Sequence, residues 1–159
     1  VRLIKYFEDS GKGLEHYARE IKATRWVFER HDLPHDAAAK DLSSGETRQK
    51  TLEQLLGTGS TRIITRQSVD DGIHAVRMLL PRCIFDGKET KQGIECLFNY
   101  QKAYDSKNKV FKNTPQHDWS SHGADAFRVL ALGFQDPAKK TLRKDLPRQA
   151  ISEYNIYGR

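Results

Sequence analysis

An α/β domain is the fold class this sequence predicts. Short apolar runs rich in β-branched residues, such as TRIITRQ, alternate with stretches whose apolar residues recur at helical spacing. The 159 residues are enough for one domain with a proper core, and too few for two comfortable ones. Hydrophobic residues at 37% against 30% charged suit a globular chain with a well-wetted surface. Strands alternating with helices point to a mixed or parallel sheet.

The elements follow in order. VRLIKYFED alternates well enough for a strand, with Leu3, Lys5 and Phe7 on one face, and SGKG turns the chain. Leu14, Tyr17, Ala18, Ile21 and Phe28 keep helical spacing, which predicts a helix to about Arg30. HDLPHDAAAKD is irregular. Ser43 and Glu46 have capping-box spacing ahead of a helix through Leu52, Leu55 and Leu56, ending at Gly57 and Gly59. TRIITRQ is a short strand. Ser68 and Asp71 form a second capping pair, before a helix lined by Val69, Ile73, Val76 and Leu80. CIFD is a strand candidate. Ile94, Leu97, Phe98, Gln101 and Tyr104 predict one more helix, and KVFK a strand. Phe127, Leu130, Ala131 and Phe134 mark the last helix. Beyond Pro137 the chain is polar and basic and reads as a tail.

Several function classes drop out. No apolar run approaches the ~20 residues that cross a bilayer, so no membrane partner is expected. GKG at Gly11 lacks P-loop spacing, and GTGS at Gly57 does not lead from a strand into a helix, so no nucleotide-hydrolysing motor is encoded in this piece. Cys83 and Cys96 lie in apolar surroundings without CxxC spacing, which predicts two buried thiols in a reduced, intracellular compartment. A formal charge of +6 favours a polyanionic partner, nucleic acid first, since phosphates reward scattered Lys and Arg with counterion release. The basic run Lys139, Lys140, Arg143, Lys144 and Arg148 adds to this near the end.

Acids and histidines concentrate in two places: LPHDAAAKD, with His35, Asp36 and Asp41, and HDWSSHGAD, with His117, Asp118, His122 and Asp125. On a helix, His122 and Asp125 share a face. Two carboxylates brought together from separate elements would hold a hard cation such as Mg²⁺ or Mn²⁺ through oxygen, and such ions serve phosphodiester chemistry. Each acid also has a plain structural reading. Asp125 could be a carboxylate at a helix N-terminus, and Asp36 could cap the alanine-rich turn after it. Zinc is disfavoured because no cysteine stands near the histidines, and a serine hydrolase because no GxSxG elbow is present.

Whole strings are more specific than spacings. LPHDAAAKDLSSGETR (33–48), SVDDGIHAVRMLL (68–80) and HDWSSHGADAFRVLA (117–131), with EDSGKGLEHYARE (8–20) ahead of them, together resemble the C-terminal nuclease domain of the large terminase subunit of tailed bacteriophages. The resemblance covers roughly Val1 to Phe134, and PHDA and SHxADAFR are its most specific parts. It implies a ribonuclease-H-like mixed sheet flanked by helices over residues 1–136, followed by a basic tail at 137–159. It also implies an endonuclease that cuts concatemeric double-stranded DNA with two Mg²⁺ or Mn²⁺ ions. The portal protein and the small terminase subunit would be partners, in the cytoplasm of an infected bacterial host. By this resemblance Asp36 matches the family's second metal-binding acid and Asp125 its last. His35 and His122 fall beside them, as candidates for supporting a ligand or meeting the scissile phosphate.

One departure matters. The family's first acid sits on an earlier strand in a motif like DxGxxDxTA, and no such motif occurs here. The chain is therefore expected to start inside the domain, without its first strand or strands, and to cleave little by itself. Pro34 sets a second expectation, because proline is unwelcome inside a sheet. The strand before it should be short, with Asp36 at its C-terminal edge. The rival reading is a non-catalytic module that docks on DNA or on the portal. Holliday-junction-type and transposase-like nucleases form a third class.

Overall fold

A computed structural model describes residues 1–41 and 45–134. Five α-helices and six short strands alternate along it, which is an α/β architecture. The strands form three separate pairs in place of one mixed sheet. β1 (Arg2–Leu3) runs parallel to β4 (Ile84–Phe85), and β2 (His31–Leu33) runs parallel to β3 (Thr61–Ile63). β5 (Lys102–Asp105) and β6 (Val110–Pro115) make an antiparallel hairpin. The tail assigned to residues 137–159 and the cap assigned to Ser43 lie outside the described residues.

The helices end where local chemistry ends them. α1 (Leu14–Ala23) stops well short of Arg30. The Thr24 hydroxyl donates back to the Ile21 carbonyl at 2.7 Å, and Arg25 turns left-handed at φ 57°. Trp26, Val27 and Phe28 then form a loop, where β-branched and aromatic side chains lose little by leaving a helix. α2 (Arg48–Leu56) is capped by Thr47, whose hydroxyl oxygen accepts the Lys50 N–H at 3.1 Å. It breaks at Gly57, where φ is 121°, open to glycine and strained for other residues. α3 (Val69–Leu79) starts at the expected Ser68 cap, whose oxygen accepts the Asp71 N–H at 3.0 Å.

α4 (Lys91–Asn99) is shorter than its apolar spacing suggests. Gln101 precedes β5 and Tyr104 lies in that strand, directly across from Phe111. The pattern Phe98, Gln101, Tyr104 fits a helix, yet Lys102 and Tyr104 also fit a strand, and cross-strand pairing decides between them. The VRLIKYFED strand likewise contracts to Arg2–Leu3, with Lys5 and Phe7 exposed.

α5 (Trp119–Gly133) organises the rest. Its small residues Ser120, Ser121, Gly123 and Ala124 are buried, and Phe127 stacks on Phe85 of β4 with ring centroids 5.8 Å apart. At its far end, Gly133 lies against Asp32 of β2 and Arg62 of β3. Both parallel pairs therefore pack on one helix. Cys96 is buried against the start of α5, while Cys83 is only half-buried, so one of the two expected buried thiols is partly open. Burial pushes both thiols above the ordinary cysteine value.

Candidate functional site

The C-terminal ends of β2 and β3 open onto a cleft of about 550 Å³, closed on its other side by α5. Clefts in α/β proteins collect function at this end of parallel strands. β2 stops at Leu33, whose carbonyl accepts the Ile64 N–H at 2.8 Å, and Pro34 follows just outside the ladder. Proline there removes no sheet donor, and its extended ψ of 158° sends the chain into a 3₁₀ turn, His35–Ala38. Asp36 is thus delivered to the rim of the cleft directly after the strand. Opposite it, α5 presents His122 and Asp125. The four residues that the resemblance singles out, His35, Asp36, His122 and Asp125, line this one cleft, while Asp41, His117 and Asp118 are not among its lining residues.

The plain readings of the two acids do not hold. α5 is capped by Asp118, whose carboxylate accepts the Ser120 N–H at 2.9 Å, so Asp125 stands in the second turn and caps nothing. Asp36 makes no side-chain cap of its turn. Each acid instead meets an arginine: Asp36 pairs with Arg48 at 3.3 Å and Asp125 with Arg128 at 3.1 Å. The Asp36 pair is more than half exposed on both sides, and exposed pairs of this kind are worth ~0–1 kcal/mol. A divalent cation or a phosphate could therefore displace either partner at small cost.

Sequence reasoning missed three contributors. Asp32, on β2, also lines the cleft, and Arg62 holds it through two bonds at 2.9 and 2.7 Å while Arg30 adds a third at 3.0 Å. Its charge is already committed, which separates it from Asp36 and Asp125. Arg66, from the loop after β3, and Arg128, from α5, bring cationic forks to the same space. The Asp32–Arg62 pair follows from the β2–β3 register, which neither segment reveals alone.

His122 faces His117 edge-on, with ring centroids 5.6 Å apart, and His117 Nδ1 lies 3.1 Å from the Ser121 hydroxyl. A second, smaller cavity of about 170 Å³ adjoins the cleft and shares Asp125 and Arg128 with it. Tyr100 lines this cavity. Its hydroxyl is pushed above the ordinary tyrosine value by burial, with the Asp125 charge adding and Arg128 opposing.

As a metal site the donors fit in type, being carboxylate oxygens suited to hard cations. Among the described residues, no group of three or more His, Cys, Asp or Glu is placed to hold one ion. Asp36 and Asp125 each offer a carboxylate to the one cleft. No family model, curated protein or solved structure matches the chain. No described helix is long and apolar enough to cross a membrane.

Proposed function

We propose that this chain belongs to the metal-dependent endonuclease domain of a phage DNA-packaging terminase, acting on concatemeric double-stranded DNA in the cytoplasm of an infected bacterial host. The observation that carries the reading is that Asp36 and Asp125, far apart in the sequence, line one arginine-bearing cleft. Both parallel strand pairs packing on α5 supports a ribonuclease-H-like sheet, in which further strands would complete the open edges.

Asp36 and Asp125 are the residues that would anchor Mg²⁺ or Mn²⁺. Bound there, the metal supplies charge neutralisation on the phosphodiester and a more acidic water. The chain's own side chains do the positioning. Arg128 and Arg66 offer planar donors that match phosphate oxygens, and Arg128, now paired with Asp125, would be free for this role were Asp125 to hold a cation. His35 and His122 stand at the rim, within the same cleft as the acids. The portal protein and the small terminase subunit would be partners in the full assembly.

The test is nicking of supercoiled plasmid by the full-length protein in Mn²⁺. Asp125→Ala should reduce nicking by at least about a hundredfold, the cost typical of removing an electrostatic group central to catalysis, with the fold intact by circular dichroism. Undiminished nicking by Asp125→Ala overturns the assignment. Retained DNA binding with no dependence on divalent ions favours the docking-module reading instead.

A further inference from the structure

The β5–β6 hairpin stands apart from the cleft machinery and has no role in it so far. Nearly all of it is in solvent: Tyr104 is 50% exposed, Val110 53% and Phe111 66%. Lys102, Lys107, Lys109 and Lys112 are exposed as well. A protruding ribbon with this much bare aromatic surface needs a reason.

Its stiffness is built in. Tyr104 and Phe111 sit directly across from one another and pack edge-to-face, with centroids 5.2 Å apart. At the tip, the Asp105 carboxylate accepts the backbone N–H groups of Lys107 and Asn108 at 3.0 and 3.1 Å, and the Asn108 amide at 3.1 Å. The one carboxylate of the hairpin is thus spent on its own turn. Four lysines around a single internally bonded acid leave the ribbon strongly cationic to a partner.

Its root is closed and lies next to the cleft. The Gln116 N–H donates to the Gln101 carbonyl at 2.9 Å, closing the base. Tyr100, Pro115 and His117 line the small cavity that shares Asp125 and Arg128 with the cleft. The root of the ribbon therefore lies beside Asp125.

We propose that the β5–β6 hairpin is a DNA-gripping arm, laid in the major groove of the duplex whose backbone enters the cleft. A major groove about 12 Å wide admits a two-stranded ribbon, whose strands lie ~4.8 Å apart. Lysines on such a ribbon reach the flanking phosphates, and the Tyr104–Phe111 pair supplies an apolar surface toward base edges. This contact orients the duplex without requiring a defined sequence. The inference rests on nucleic acid being the substrate of the cleft, and the test separates the two.

Duplex binding by the full-length protein is measured by fluorescence anisotropy in EDTA, so that no cleavage interferes, across a series of salt concentrations. The variant is Lys107→Gln/Lys109→Gln/Lys112→Gln, which changes only exposed side chains. Losing three phosphate contacts should lower the log–log salt slope by about 2 to 3 and weaken binding at least about tenfold at low salt. Wild-type protein that shows no salt-dependent duplex binding sinks the nucleic-acid reading itself, and the arm with it. Wild-type binding with an unchanged slope in the triple variant overturns the arm and leaves the cleft reading standing. A variant that loses single-strand binding but keeps its duplex affinity overturns the assignment to duplex.

Discussion

Arg62 gives the sharpest test of how the cleft floor is held. Its guanidinium donates twice to Asp32, at 2.9 and 2.7 Å, and once to the Gly133 carbonyl at 2.5 Å. One side chain thereby ties β3 to β2 and both to the end of α5. Replacement by methionine keeps an apolar stem and removes all three bonds. Hydrogen bonds to charged groups are worth ~1.5–3 kcal/mol each when fully shielded. Arg62 and Asp32 are 28% and 22% exposed, and Arg30 remains as a second partner for the acid. Those two facts reduce the total to about 2–3 kcal/mol. For a chain of this size that corresponds to a melting temperature lower by about 5–10 °C. Urea unfolding of Arg62→Met, Asp32→Asn and the double variant should give a coupling energy above about 1 kcal/mol. A cost under about 0.5 kcal/mol with no coupling would show that the bridge does not hold the floor.

Two further outcomes follow from packing and capping. A Cβ at Gly123 would lie 2.6 Å from the Cys96 Cβ and 2.9 Å from the Tyr6 hydroxyl, so Gly123→Ala must push α5 off α4. It should destabilise by about 1–3 kcal/mol in urea unfolding, and a neutral result would mean that the two helices are less closely packed. Asp118 titrates below its usual 3.8, chiefly because the Ser120 hydroxyl bonds its carboxylate, with the Ser120 and Ser121 N–H groups and His117 assisting against a desolvation cost. The folded state therefore takes up this proton later than the unfolded state as pH falls. Its stabilising contribution is complete above the ordinary carboxylate range and disappears as pH drops through the lowered value. The urea midpoint of Asp118→Asn should fall less steeply than wild type between pH 5 and pH 2. Parallel profiles would rule out the cap as a source of acid sensitivity.

What the sequence made legible was local. The Ser68 cap and the stop at Gly57 each depend on residues within one or two turns, and each is found where the spacing puts it; of the stripe read for α5, Phe127 is buried, while Phe134 falls just past the helix end. Tyr104 shows the limit, because its spacing suits a helix and a strand equally, and only Phe111 across the hairpin chooses. Strand length was beyond reach for a similar reason: VRLIKYFED alternates throughout, yet only Arg2–Leu3 has a ladder partner in β4. At the candidate site, Asp36 and Asp125 stood out because their flanking strings are distinctive. The arginines did not, since a basic residue looks alike whether it faces bulk water or, like Arg48 and Arg128, a particular carboxylate.

The contact between Gly123 and Cys96 has a directional consequence. A helix advances about 100° per residue, so whichever residue faces a close neighbour sets the rotation of all the others. With Gly123 turned to α4, Asp125 lies ~200° further round, and His122 comes back to within ~60° of it. A slip of one residue in that contact would swing both side chains by ~100°, out of the cleft and toward packed protein or solvent. The missing side chain at Gly123 thus acts as a keyway, setting the bearing of an acid on the opposite side of the same helix.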